Sequence, residues 1–262
     1  MIALRLVTAL LPLAAQGADS LEKEALALAR ARDFQRLEKL LTNAAYLTRL
    51  DDPSVARTRR FGHVMAELAS GARADTVELC LRLAANPAFL AEPDRMTHLL
   101  PVVAAVKPMG AKTAALFRTT NEQGYFATNA RLLAANGSPV AIELFVAMVL
   151  DTRVRLPRRI DALRGGIVPR RTELQWIDAA RAIFDRTKEP ALAHAAAASV
   201  FDFGIEWFGP HEAPAQPAWD KASALRAASG FADAALRRGD LPSDLRRAVE
   251  RERGVVRKLG GF

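Results

Sequence analysis

Seven guanidiniums fall within nineteen residues of this chain: Arg153, Arg155, Arg158, Arg159, Arg164, Arg170 and Arg171, with Asp161 the one carboxylate between them. Arginine forks match the geometry of phosphate and carboxylate groups, so a ridge built from these side chains would bind an anion. Contacts to several phosphates would make such binding steeply salt-dependent. Acids from elsewhere in the fold could equally pair with them. A second cluster lies further on. Asp202, Glu206, His211 and Glu212 bracket Phe203, Trp207 and Phe208, with Phe201 just before them. Carboxylates and an imidazole between aromatic walls are the parts of a ligand pocket or an acid/base site. The same aromatics would also serve to pin a long loop to a core.

Other reactive side chains point away from catalysis. Cys80 is the only cysteine and sits in the apolar pattern Val77-Glu-Leu-Cys-Leu-Arg-Leu83, where it reads as a small buried hydrophobe. His63, His98, His194 and His211 are far apart and show no metal-ligand spacing. The chain lacks a G-x-S-x-G elbow, a phosphate-binding glycine loop and an H-E-x-x-H pair. No cofactor is expected. The C-terminal run Arg246, Arg247, Arg251, Arg253 and Arg257 alternates with Asp244, Glu250 and Glu252, and reads as a solvated helical face.

The elements that must position these residues are helices. Start signals recur: Asp19 with Glu22, Asp52-Pro53, Asp75 with Glu78, Ser138-Pro139, and Thr172 with Gln175 as a capping box. Stop signals fall between them at Gly71, Asn86-Pro87, Lys107-Pro108, Gly124, Asn136-Gly137, Gly165-Gly166 and Gly239. Apolar positions repeat at helical period, as in Trp176, Ile177, Ala180, Ile183 and Phe184, and Leu37, Leu40 and Leu41. Pro139 to Leu150 carries one charge, Glu143, and predicts a helix covered on nearly every side, with Ser138 capping its first turn. No segment alternates as a strand would. An all-α fold is expected. Starts recur every 16 to 26 residues, and two helices at a time give a unit in the range of a helix-pair solenoid.

Asp151, Val154-Arg155, Ala162-Leu163 and Gly165 resemble the turn and second helix of a HEAT or armadillo-type repeat, with Pro157 and one or two extra residues displacing the second half. Asp52-Pro53-Ser54-Val55, Arg57 and Leu68-Ala69 are similar to the same pattern. The resemblance covers residues 50–205. It implies a curved, two-layer α-solenoid of antiparallel helix pairs that binds a partner along its concave face, and it carries no catalytic residues. The expected organisation is a signal peptide over 1–17, a helical array over 18–203, a Pro- and Gly-rich loop over 204–217, and a C-terminal helical pair over 218–262 as its cap.

Half of the 262 residues are hydrophobic and a quarter charged, the balance of a folded protein. Thirty of the 37 basic residues are Arg and the net charge is +8, which excludes nothing but favours anionic partners. The first residues resemble a secretory signal, with Arg5, an apolar run broken by Pro12, and Ala15-Gln16-Gly17 as a cleavage site. Removing Arg5 would lower the charge from +8 to +7. That run is too short to cross a bilayer. The leading expectation is thus a secreted or periplasmic, non-enzymatic scaffold with a protein partner. One alternative is a cytoplasmic nucleic-acid-binding solenoid resembling HEAT-like DNA glycosylases, which hold duplex on a basic face with aromatic and acidic residues, here Trp176 and Asp178. The other is a periplasmic enzyme with its site at 202–212.

Overall fold

The computed structural model describes residues 18–43, 46, 57–90, 93–170, 173–201 and 221–262. The signal-like segment, the Asp52-Pro53 turn, Arg171, Thr172 and the 202–217 segment lie outside them. The described residues are helical and contain no strand. They fall into two compact units that meet in sequence at Lys107–Pro108.

The first unit comprises α1 (Ala18–Ala31), α2 (Phe34–Leu41), α3 (Arg57–Ser70), α4 (Ala74–Ala84), the single turn α5 (Pro87–Leu90) and α6 (Pro93–Ala105). Asp33 caps α2 by accepting the Arg36 amide at 3.2 Å. Arg32, between α1 and α2, has the left-handed φ of +56°. Its guanidinium donates to the Gly71 carbonyl at 3.0 Å and pairs with Asp75, which offsets that backbone strain. The cap of α4 is Arg73, two residues before the Asp75 expected from the sequence, and Thr76 reaches back to its amide. Phe61 meets Phe89 at 5.5 Å and the His98 ring at 5.9 Å, linking α3 to α5 and α6. Cys80 is fully buried, and burial pushes its thiol up to about 12.

The second unit comprises α7 (Ala111–Glu122), α8 (Phe126–Asn136), α9 (Pro139–Leu150), α10 (Leu156–Ile167), a 3-10 turn (Val168–Arg170), α11 (Leu174–Arg186), α12 (Pro190–Phe201), α13 (Lys221–Leu236) and α14 (Ser243–Gly260). Each helix from α7 onward packs on the next helix and on the next but one. Sequence patterning explains the burial. Trp176, Ile177, Ala180, Ile183 and Phe184 turn the core stripe of α11 inward. Trp176 meets Phe145 of α9 edge to face at 5.3 Å, and Phe231 of α13 meets Phe184 at 5.4 Å and Phe201 of α12 at 5.5 Å.

Several local expectations change. Ser138 stands at the N-cap of α9 with Pro139 behind it, but makes no cap bond. Its hydroxyl accepts from the Met109 amide at 3.1 Å and donates to Asn136, fastening the start of α9 to the segment before α7. Helix α9 is covered except at Pro139 and along a narrow stripe at Val140, Glu143 and Ala147. Gly165-Gly166 does not stop a helix; α10 runs through both. A Cβ on Gly166 would lie 2.5 Å from the Phe145 ring, so this glycine permits α10 to press against α9. The cap of α11 is Glu173 instead of Thr172. In α14 the core stripe is Leu245, Val249, Glu252 and Val256. Its arginines are not simply solvated. Arg246 donates to the Leu236 and Arg238 carbonyls at the end of α13, and Arg253 and Arg257 pair with Asp233.

Candidate functional site

The helical fold sorts the arginine run into tied and free side chains. Arg153, in the turn after α9, wraps the carboxylate of Asp151 through its amide at 3.0 Å and its guanidinium at 2.9 Å. Glu122 stands 3.6 Å away. Hydrogen bonding from Arg153 holds the Asp151 carboxyl below its usual value. Arg159 is buried on the inner side of α10. It donates to the Val154 carbonyl at 2.9 Å and to Glu189, at the start of α12, at 2.6 Å. That bond draws the Glu189 carboxyl down as well. Arg170 bends back toward the Gly166 carbonyl at 3.5 Å, too long for a strong bond. Arg155, Arg158 and Arg164 are exposed and have no ion-pair partner among the described residues.

A fourth free guanidinium joins them from another helix. Arg131 on α8 is exposed, and the packing of α8 on α10 brings it across from Arg158. Between these helices lies a groove of about 330 Å³. Gly124, Phe126, Ala127 and Arg131 form one wall, and Arg158, Asp161, Ala162 and Gly165 form the other. The α10 residues repeat at the three- and four-residue spacing of one helical face. Phe126 is buried and gives the floor its apolar character. The left-handed backbone of Gly124, at φ +101°, lets the chain turn from α7 into the rim. Nothing in the sequence marked Arg131, which precedes the arginine run by more than twenty residues. Its one signal is an isolated cation in the Ala- and Leu-rich stretch of α8.

Chemically the groove is a cationic depression with an apolar floor. Its lining offers two guanidiniums, one carboxylate and an apolar floor, and contains no hydroxyl, thiol or imidazole. Among the described residues no three His, Cys, Asp or Glu side chains gather in a way that would hold a metal ion. His63 pairs with Glu22 at 2.8 Å, His98 packs on Phe61 and His194 is exposed on α12. The second expected cluster, Asp202, Glu206, Trp207, His211 and Glu212, lies outside the described residues. No helix among the described residues is long and apolar enough to cross a membrane. Compared with known proteins, the chain matches no family model, no curated protein and no solved structure.

Proposed function

We propose that the protein is a non-enzymatic interaction scaffold, a HEAT-like α-solenoid of antiparallel helix pairs that holds a protein partner on the surface of α8 and α10. The observation that carries this reading is the pair of free guanidiniums, Arg131 and Arg158, across a groove whose lining holds no hydroxyl, thiol or imidazole, with the exposed Arg155 and Arg164 on the neighbouring surface. The packing of each helix from α7 to α14 on its next two neighbours supports the array, because stacked helix pairs make that set of contacts. The C-terminal pair α13 and α14 would then be its cap. Exposed cations that stay unpaired within their own fold are available to a partner's acids, where they raise association rates and discriminate between surfaces.

The nucleic-acid reading is weaker because its aromatic is unavailable. Trp176 is wholly buried against Phe145 and presents no face to a base, while Asp178 is exposed alone. We place the protein outside the cytoplasm on the strength of its signal-like first residues, and N-terminal sequencing of native protein beginning near Ala18 is the expected result. The scaffold reading is tested by a photoreactive residue at Arg155 or Arg164, with Glu143 on the open stripe of α9 as the control. Protein adducts at the first two positions and none at the third are expected. Nucleic-acid adducts, or equal labelling at all three, would overturn it.

A further inference from the structure

The α8–α10 groove has features that narrow what occupies it, and the inference rests on the scaffold reading above. Arg131 and Arg158 face it from opposite helices, and Asp161 is the single carboxylate in the lining. Two guanidiniums against one carboxylate leave the lining net positive by one charge, around a floor of Phe126, Ala127 and Ala162. We infer that the groove is a docking site for an acidic segment of a partner protein, in which carboxylates pair with Arg131 and Arg158 while one aliphatic side chain enters between them. The volume of about 330 Å³ suits one or two side chains. Guanidinium forks on both walls complement carboxylates across the groove.

The same lining disfavours a nucleic acid. Asp161 can accept a backbone N–H from a peptide, a donor that a phosphodiester backbone lacks. Phe126, the aromatic of the lining, is buried and cannot stack on a base. Gly165 supplies the specificity test. A Cβ there meets nothing within 4 Å, so a large side chain would cover the groove without disturbing the helix.

The experiment selects binders from a random peptide display library on the full chain, then measures the selected peptides by fluorescence anisotropy. Enriched peptides are expected to carry Asp or Glu on both sides of one Leu, Ile, Val or Met. The double variant Arg131→Gln with Arg158→Gln is expected to weaken them about fivefold to tenfold, the scale of two partly exposed charge-assisted pairs. Gly165→Phe, which leaves every charge in place, is expected to abolish measurable binding. Arg181→Gln on α11 is the control and leaves affinity unchanged. Each of the following results overturns the inference: no enrichment, enriched peptides without acids, affinity indifferent to Gly165→Phe, or displacement of the peptides by a short oligothymidylate at lower concentration than by unlabelled peptide. Failure of the scaffold reading is distinguishable. Protein adducts at Arg155 without selectable peptides sink the groove alone, and groove-dependent peptides without protein adducts in the host sink the scaffold alone.

Discussion

Arg159 shows how little a residue's type says about its role. It stands next to Arg158 in the sequence, yet one guanidinium faces the groove and the other is buried between α10 and α12. Helical geometry turns adjacent side chains about 100° apart, so a run of cations cannot all face one way. Replacing Arg159 by Ala would strand the Glu189 carboxylate and the Val154 carbonyl. A loss of about 2 to 3 kcal/mol in urea unfolding is expected, less than for a fully buried pair because Glu189 keeps 35% of its side chain exposed. The pair also has a pH signature. Glu189 titrates below its ordinary 4.5 in the folded protein, so the unfolded chain takes up this proton first as acid is added. Its stabilisation is therefore complete above about pH 5 and is lost as pH falls through the folded value. Thermal melts are expected to show a smaller acid-side decline in Glu189→Gln than in the wild type, and equal declines would refute the assignment. The partner of Arg153 is Asp151, two residues away within the same turn and just outside the run in which Asp161 is the one carboxylate. That of Arg159 was not legible in the sequence, since only the packing of α10 on α12 spans the thirty residues to Glu189.

At the scale of the element, the adjacent glycines of α10 give the sharpest contrast. In a sequence Gly165-Gly166 signals a stop, because glycine is a poor helix former and a good cap. The helix continues because the contact of α10 with Phe145 of α9 needs a residue without a Cβ at position 166. Packing thus overrides propensity at the point where the family-like glycine pattern was read, and Gly166 is the glycine that packs. The two positions should respond to alanine with opposite signs. Gly165→Ala enters open space and is expected to stabilise by about 0.5 to 1 kcal/mol through the backbone entropy of the unfolded chain. Gly166→Ala gains the same propensity but overpacks the Phe145 ring, at a cost of about 1 to 3 kcal/mol, so a net loss is expected. Phe145→Leu in the Gly166→Ala background should recover part of that loss. If both alanines stabilise in denaturant titrations, the close approach of α9 and α10 is wrong. Ser138 illustrates the same limit, since its place before Pro139 was plain from sequence while its bond to Met109 depends on the packing around it.

For the molecule as a whole, helix content was legible from periodicity and punctuation, whereas the order in which helices meet was not. Apolar stripes say that a face is buried and leave open which helix covers it. From α7 to α14 the answer is the next helix and the next but one, a local pattern in which interactions pass between neighbours. Under the proposed solenoid, that pattern would make stability divisible along the second unit in the manner of a repeat array. Phe231 of α13 is fully buried and touches Phe184 of α11 and Phe201 of α12. Phe231→Ala is expected to remove about 3 to 5 kcal/mol at that junction. In an array the loss stays close to its source. Amide hydrogen exchange should accelerate strongly in α11 to α14, less in α9 and α10, and hardly at all in α7 and α8. A single cooperative core would instead lower protection equally across every helix of the unit. A flat response therefore counts against the solenoid itself, and with it against reading the α8–α10 surface as one face of an extended binding platform.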